Sequence, residues 1–312
     1  DFLEYTQEEV IGKDYLTSFV PAEDQKALGE IFRSHADGIE TTLNENRIIS
    51  KSGKTTLVEW YGRNVKKSEN APGFFIGVGI DITERKHAEK AMQENQARAI
   101  RQRAAVVELA LAPASEMINL SKTFERVTEV VSHALGVERT SIWRVTGDGN
   151  TLRCLSLYEA GKKKHSQMPP IDLRTIPFYW ETIKTENRIY ADDALNDPRT
   201  EELADSFILP HHITSMLDAG ILVEGKLVGV ISCAQTREKR KWHLDEEAFV
   251  STIAAFVGQT LSNIDRKFAE KALLETQEQI RIQQGKFQKE LLRSIIQILE
   301  LYDLYTSGHS EN

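Results

Sequence analysis

The sequence predicts an α+β protein in which two domains with antiparallel sheets are joined and followed by long helices. Three observations carry this. Residues 73–86 (GFFIGVGIDITERK) pass from an unbroken apolar run into a charged helical pattern. Strand-like segments flank short turns at 51–54, 147–150 and 224–226. Residues 84–103 are charged, rich in Ala, Gln and Glu, and contain no Pro or Gly, which favours one continuous helix.

Taken in order, residues 8–13 form a short helix closed by Gly12. Residues 21–36 form a second helix that Asp37-Gly38 ends, with His35 in its last turn, where a cation suits the helix dipole. Residues 41–50 are strand-like, 51–54 a hairpin turn, 55–66 a second strand and 67–72 a loop. Phe74, Phe75, Ile76, Val78 and Ile80, with glycines between them, predict a buried strand with close backbone approaches. Thr83 is placed to cap the helix that Glu84-Arg85-Lys86 begins. A strand that delivers its end into an amphipathic helix gives a sheet a lever to push on, which points to a sensor and not to a free-standing enzyme.

Within 84–103 and just beyond it, Ala88, Ala91, Met92, Ala99 and Ala105 make a small-residue seam suited to a parallel dimer. The helix continues over 104–111, and a second covers 124–135 with Val127, Val130, Val131 and Ala134 on one face. Strands are expected at 139–145, 151–158, 221–223 and 227–234. A last helix begins at about 244 and turns Phe249, Ile253, Phe256, Val257 and Leu261 inward. Farther on, Leu273, Ile280 and Phe287 recur every seven residues, with polar Gln277 and Gln284 between them. The apolar stretch 291–301 then predicts a buried helix that needs partners.

Composition narrows the function. The 312 residues suit two domains with connectors. Forty-seven acidic against 39 basic residues leave a net charge of −8, which argues against a nucleic-acid partner. Two cysteines, Cys154 and Cys233, give no disulfide framework, so a cytoplasmic setting is expected. No run reaches the roughly 20 apolar residues that span a bilayer. The chain lacks an initiator Met and is read as a piece of a longer protein, which leaves room for a membrane anchor upstream. Cys233 falls inside a strand and is expected to be a small buried residue. His211-His212 has no third ligand near it in sequence, so a loop or pocket-lining role is expected, and 162–165 (KKKH) reads as a solvated loop.

Three resemblances add to this reading. Glu9-Val10-Ile11-Gly12, Ser52-Gly53-Lys54 and residues 77–86 resemble the PAS fold with its PAC motif, over residues 1–87 and without the family's first two strands. With no cysteine before Cys154 and no evident haem ligand, that resemblance assigns no cofactor. Ser141-Ile142-Trp143, Ala191-Asp192-Asp193, Asp197-Pro198-Arg199, residues 214–218 (TSMLD), residues 225–230 (GKLVGV) and Trp242 with Asp245, Glu246 and Phe249 resemble a GAF domain over 106–266, after a linker helix at 88–105. Such a domain implies an unidentified small-molecule ligand in a pocket walled by Trp143, Phe178, Tyr179, Trp180 and Ile208. It has neither the cysteine of the bilin type in 207–212 nor the Asn-Lys-x-x-Phe signature of the cyclic-nucleotide type, where Arg240-Lys241-Trp242-His243 stands.

After a coiled-coil linker helix at 267–290, residues 291–312 resemble the start of an HD-GYP domain, most densely at Asp303, Tyr305, Thr306, Gly308, His309 and Ser310. That family hydrolyses cyclic di-GMP with divalent metal ions of the iron or manganese type. The resemblance makes His309 a first ligand, and Tyr305 in place of a Glu implies two ions rather than three. No catalytic site is complete within these residues. The expected function is a bacterial signal-transduction sensor controlling such an output. The alternatives are the sensor half of a histidine kinase and a non-enzymatic ligand-binding scaffold.

Overall fold

The structure, a computed structural model, describes residues 3–36, 41–65, 74–111 and 119–308. The chain divides into two compact units, Asp1–Arg98 and Ala99–Asn312.

The first unit opens with α1 (Gln7–Val10), where Thr6 Oγ1 accepts from Glu9 N and the Glu9 carboxylate accepts from Thr6 N at 3.0 Å. Gly12 follows at a φ of 81°, the left-handed conformation expected of it. A short helix absent from the sequence reading, α2 (Tyr15–Phe19), is capped by Asp14, whose Oδ1 accepts from Thr17 N at 2.9 Å. It leads into α3 (Ala22–Ala36), whose last turn holds His35. Strands β1 (Thr41–Ile49), β2 (Thr55–Val65) and β3 (Phe74–Asp81) then form an antiparallel sheet in the order β1-β2-β3. Alternation puts Asn46, Ile48 and Val58 on the face that the helices cover with Phe19, Val20 and Leu28, all buried. Tyr15 meets the Trp60 ring edge-on at 5.6 Å and accepts from Asn46 Nδ2 at 3.2 Å.

Two expectations about β3 and its helix need correction. The strand forms, and Gly79 does allow a close approach, since a Cβ there would collide with Val58 and Trp60. Ile76, Val78 and Ile80, however, alternate onto the opposite face and are 49, 58 and 49% exposed. Among the described residues of β3 none is fully buried, so its unbroken apolar run does not mark a strand covered on both faces. Thr83 is the first residue of α4 (Thr83–Ala110) and not its cap. Asp81 Oδ1 accepts from Thr83 N at 2.9 Å, which leaves Thr83 Oγ1 to accept from Leu57 N of β2 at 2.9 Å. Arg85 pairs with Glu59 at 2.8 Å and Lys86 with Glu45 at 2.8 Å, tying the first turn of α4 to β2 and β1.

The second unit is built on a sheet in the order β6-β5-β4-β10-β9-β8, with β7 also pairing β5. Its strands are β4 (Arg139–Val145), β5 (Thr151–Glu159), β6 (Lys164–Ser166), β7 (Ile171–Asp172), β8 (Arg188–Ala191), β9 (Ser215–Val223) and β10 (Lys226–Gln235). The strand expected at 221–223 thus starts six residues earlier, at Ser215. The segment read as a solvated loop contributes β6, where His165 lies 3.6 Å from Glu129 and packs its ring 4.9 Å from that of Tyr158.

One face of this sheet carries α5 (Leu120–Leu135), the C-terminal turns of α4 and the first turns of α7 (Leu244–Gly308). Asn119 Oδ1 caps α5 by accepting from Lys122 N at 3.3 Å, and Gly136 closes it at a φ of 66°. Phe124, Val127 and Val131 of α5 join Ala105 and Leu109 of α4 and Val250, Ile253 and Val257 of α7 in one core. Glu246 anchors the start of α7 by accepting from His243 N at 3.1 Å and pairing with Arg240. The other face carries α6 (Pro177–Glu186), a 3₁₀ turn (Glu201–Leu203) and a π turn (Ala204–Ile208). Beyond Leu261, α7 exposes Leu273, Ile280, Phe287, Leu291, Ile295 and Ile298. The stretch expected to be a buried helix is therefore helical and uncovered among the described residues.

Gly258 lets α7 lie against β9, because a Cβ there would collide with the carbonyl oxygen of Leu222. Replacing a mid-helix glycine by alanine favours an isolated helix by about 1 kcal/mol. Here the clash is with strand backbone, which cannot swing aside, and overpacking of this kind costs about 1–3 kcal/mol. Gly258→Ala is expected to lower the urea midpoint of the full chain; an unchanged or raised midpoint would show that α7 does not seat this closely.

Candidate functional site

The face of the second sheet that carries α6 holds a cavity of about 20 Å³, room for one water-sized group. Its aromatic and polar walls are Trp143 of β4, Tyr179 of α6, Phe207 of the π turn, Asp218 of β9 and Ser232 of β10, with Leu152, Ile171, Ile176, Leu203 and Val230 completing it. Alternation along β9 explains why Asp218 is there. Leu217, Ala219 and Ile221 point to α7, so Met216 and Asp218 point the other way.

Asp218 is 1% exposed. Tyr179 donates its phenolic hydrogen to Asp218 Oδ2 at 2.6 Å, while Asp218 Oδ1 has no hydrogen-bond partner. Burial pushes the Asp218 carboxyl up to about 6, against the pull of the Ser232 and Tyr179 hydroxyls. Burial, and then the neighbouring carboxylate, holds the Tyr179 phenol well above its ordinary value. Trp143 turns its one polar atom away, donating Nε1–H to Ser141 Oγ at 2.8 Å, and its ring meets Phe207 edge-on at 6.0 Å.

Of the pocket residues expected from sequence, Trp143 and Tyr179 line this cavity. Ile208 is buried in the same apolar cluster without lining it, and Trp180 packs at the cluster's border. Phe178 is 56% exposed and takes no part. Sequence reasoning missed Phe207, Ser232 and above all Asp218. The signal for Asp218 was present: it is a lone carboxylate inside the apolar run 215–223.

The remaining candidates fall elsewhere. His309 lies outside the described residues. Cys154 and Cys233 are buried thiols, both pushed up by burial, as small core residues should be. His211 is lowered by desolvation and then by the nearby Arg139 charge, and it packs edge-on against Phe207 at 5.8 Å. Among the described residues no group of His, Cys, Asp and Glu is arranged to hold a metal ion. No helix among them is long and apolar enough to cross a membrane. A larger open groove of about 680 Å³ runs past Arg139, Glu159 and His211. Its charges satisfy one another, Arg139 with Glu159 at 2.7 Å and Glu138 with Thr236 N at 3.1 Å, so it leaves no buried polar group unpaired.

Residues 119–261 match the family model of the GAF domain, and residues 1–79 match that of the PAS fold. The chain carries a PAS-fold domain and a GAF domain. No curated protein matches it significantly. Among solved structures, the GAF domain of an Acinetobacter phosphoenolpyruvate-protein phosphotransferase is 14% identical over 55% of this chain and 97% of its own, with a TM-score of 0.43. The blue-light absorbing form of the PixJ GAF domain of Thermosynechococcus elongatus is 16% identical over 53% and 96%, with a TM-score of 0.43. The chromophore-binding domain of a Stigmatella aurantiaca bacteriophytochrome is 14% identical over 83% and 86%, also with a TM-score of 0.43.

The cavity makes the GAF domain's stability depend on pH. The folded state holds the Asp218 proton to about 6, against an ordinary 3.8. The stability this contributes is complete below the ordinary value and is lost as pH rises through the folded one. Asp218→Asn removes that loss. At about pH 8 the variant should be more stable than the parent by as much as about 3 kcal/mol, and the difference should shrink toward about pH 4. Urea midpoints at the two pH values test this, and an equal difference at both would show that Asp218 does not titrate as a buried carboxyl.

Proposed function

We propose that this chain is the sensory part of a bacterial signalling protein, in which the GAF cavity takes a small ligand and the long helices carry the response to an output domain. The observation that carries the reading is the placement of two things on one strand. Asp218 lines the cavity from one face of β9, and Leu217, Ala219 and Ile221 seat α7 on the other. In a close-packed core, a shift of β9 that accommodates a ligand displaces the base of α7. The first domain has a comparable link, because Asp81, Thr83 and the Arg85–Glu59 pair fix the first turn of α4 to the PAS sheet.

The exposed Leu273, Ile280 and Phe287 support a parallel homodimer in which two copies of α7 pair as a coiled coil. The output we favour is an HD-GYP-type phosphodiesterase acting on cyclic di-GMP, with His309 as one ligand of two divalent metal ions of the iron or manganese type. The resemblance of residues 298–311 to that family's opening supports it. Such ions supply an activated water for attack on phosphorus.

The test is to assay the full-length gene product for metal-dependent hydrolysis of cyclic di-GMP. Hydrolysis that His309→Ala abolishes is the expected result. Transfer of phosphate from ATP to a histidine instead would make the protein a kinase sensor. Sedimentation should show twice the chain mass, and a monomer at every concentration would remove the coiled-coil relay.

A further inference from the structure

The GAF cavity has a chemical character of its own, and its description rests on the reading of that cavity as a ligand site. We propose that it takes an ammonium group, either a free ammonium ion or the head of a short alkylamine, with Asp218 as the counter-ion and Trp143, Tyr179 and Phe207 as the walls.

The argument begins with charge. Asp218 lines the cavity, is 1% exposed and leaves Oδ1 without a partner. No Lys, Arg or His is among the lining residues, so the carboxylate has no cation of the protein beside it. A buried carboxylate in that position is costly until a cation or further donors reach it. Tyr179, at 2.6 Å from Oδ2, and the Ser232 hydroxyl facing Asp218 across the strand pair are neutral and supply no charge.

Size and wall chemistry then select the occupant. About 20 Å³ admits a group of one heavy atom with its hydrogens, and ammonium is close to water in size. Phosphate and carboxylate ligands bring anionic acceptors that Asp218 would repel, and a sugar is far larger than about 20 Å³. A hard metal ion takes six or more oxygens. The cavity presents only those of Asp218, Tyr179 and Ser232. Aromatic rings, by contrast, attract an ammonium group through their quadrupoles, most strongly where water is excluded. A water would satisfy Oδ1 and leave its charge unanswered. Burial makes Asp218 a weaker acid, and no neighbouring cation offsets it.

The cover over the site suits an entry point. Leu203 and Phe207 sit on the consecutive 3₁₀ and π turns, and a π turn is frequently found at a functional site. The cavity as it stands holds the head group alone, so an alkylamine would bind only if Phe207, which walls it, swung aside for the chain.

The experiment is a thermal-unfolding and Trp-fluorescence titration of the full chain near neutral pH. The probes are ammonium, methylammonium and ethylammonium chlorides, with sodium and potassium chlorides at equal ionic strength as references. A saturable rise in Tm with one or more of the amines, absent with sodium and potassium, is expected. Affinity should be at least about tenfold weaker in Asp218→Asn, which loses the buried ion pair, and weaker also in Phe207→Leu, which keeps the charge and loses a ring. A response to ammonium alone identifies the free ion, and a stronger response to methyl- or ethylammonium identifies an alkylamine. Equal response to potassium, or an amine response that survives both substitutions, overturns the proposal. A panel of neutral and anionic metabolites separates the two levels of inference: binding by one of these with none by amines refutes the ammonium site and keeps the ligand cavity, whereas no response to any class refutes both.

Discussion

Burial of β9 on both faces is the constraint on which the second unit depends. From Ser215 to Ile221 every residue is buried, with Leu217, Ala219 and Ile221 against α7 and Met216 and Asp218 against the α6 side. A strand held this way has no soft side. Close packing leaves few voids that could absorb a displacement, so a change at Asp218 is felt in the seat of α7. Glycines set the distances: Gly258 lets α7 approach Leu222, and Gly220 makes room for the side chains of Asn187 and Leu227.

The PAS-fold domain meets a similar need with different forces. Its strand β3 leaves Ile76, Val78 and Ile80 exposed, and its link to α4 combines the buried Ile82 with polar contacts where the strand ends. Asp81 accepts from the helix's first amide and Thr83 from β2, while Arg85 and Lys86 reach Glu59 and Glu45. Ion pairs this exposed stabilise little, about 0–1 kcal/mol each. Their role is to orient: four short contacts from residues within 81–86 leave the first turn of α4 one position relative to β1 and β2. Packing seats α7, whereas the start of α4 adds hydrogen bonds and ion pairs to the buried Ile82.

Local sequence signals revealed much of this and failed where a residue's environment comes from distant segments. The hairpins at 51–54 and 147–150, the glycine closing α1 and the buried face of α5 were legible because turn chemistry and helical period act within a few residues. The exposure of Ile76, Val78 and Ile80 was not, since an apolar run looks the same whether one face or two are covered. Thr83 was misread as a cap because both Asp81 and Thr83 can cap, and the choice between them is made by Leu57, twenty-six residues earlier. In the pocket, Trp143 and Tyr179 were named only through the resemblance to the GAF fold, and both line the cavity. Phe178, next to Tyr179, faces outward because successive residues of a helix point about 100° apart. Asp218 was seen as part of a family pattern, but its meaning depends on Tyr179 and Ser232 across the core, which no local window contains.

That same residue ties ligand chemistry to the helix. A buried carboxylate with an unpaired oxygen weakens the fold at neutral pH, and weakens it most on β9, where α7 is seated. A cation that pairs with Asp218 binds the folded state alone and raises its stability by mass action. On the proposed reading the gain falls on β9, the strand that seats α7, so an occupied cavity would hold both more firmly. Hydrophobic filling of the same space by a larger side chain would stabilise the domain permanently and remove this difference. An acid with an unpaired oxygen at the centre of the sheet therefore suits the proposed switch better than a scaffold, because any change at Asp218 lies on the strand against which the long helix begins.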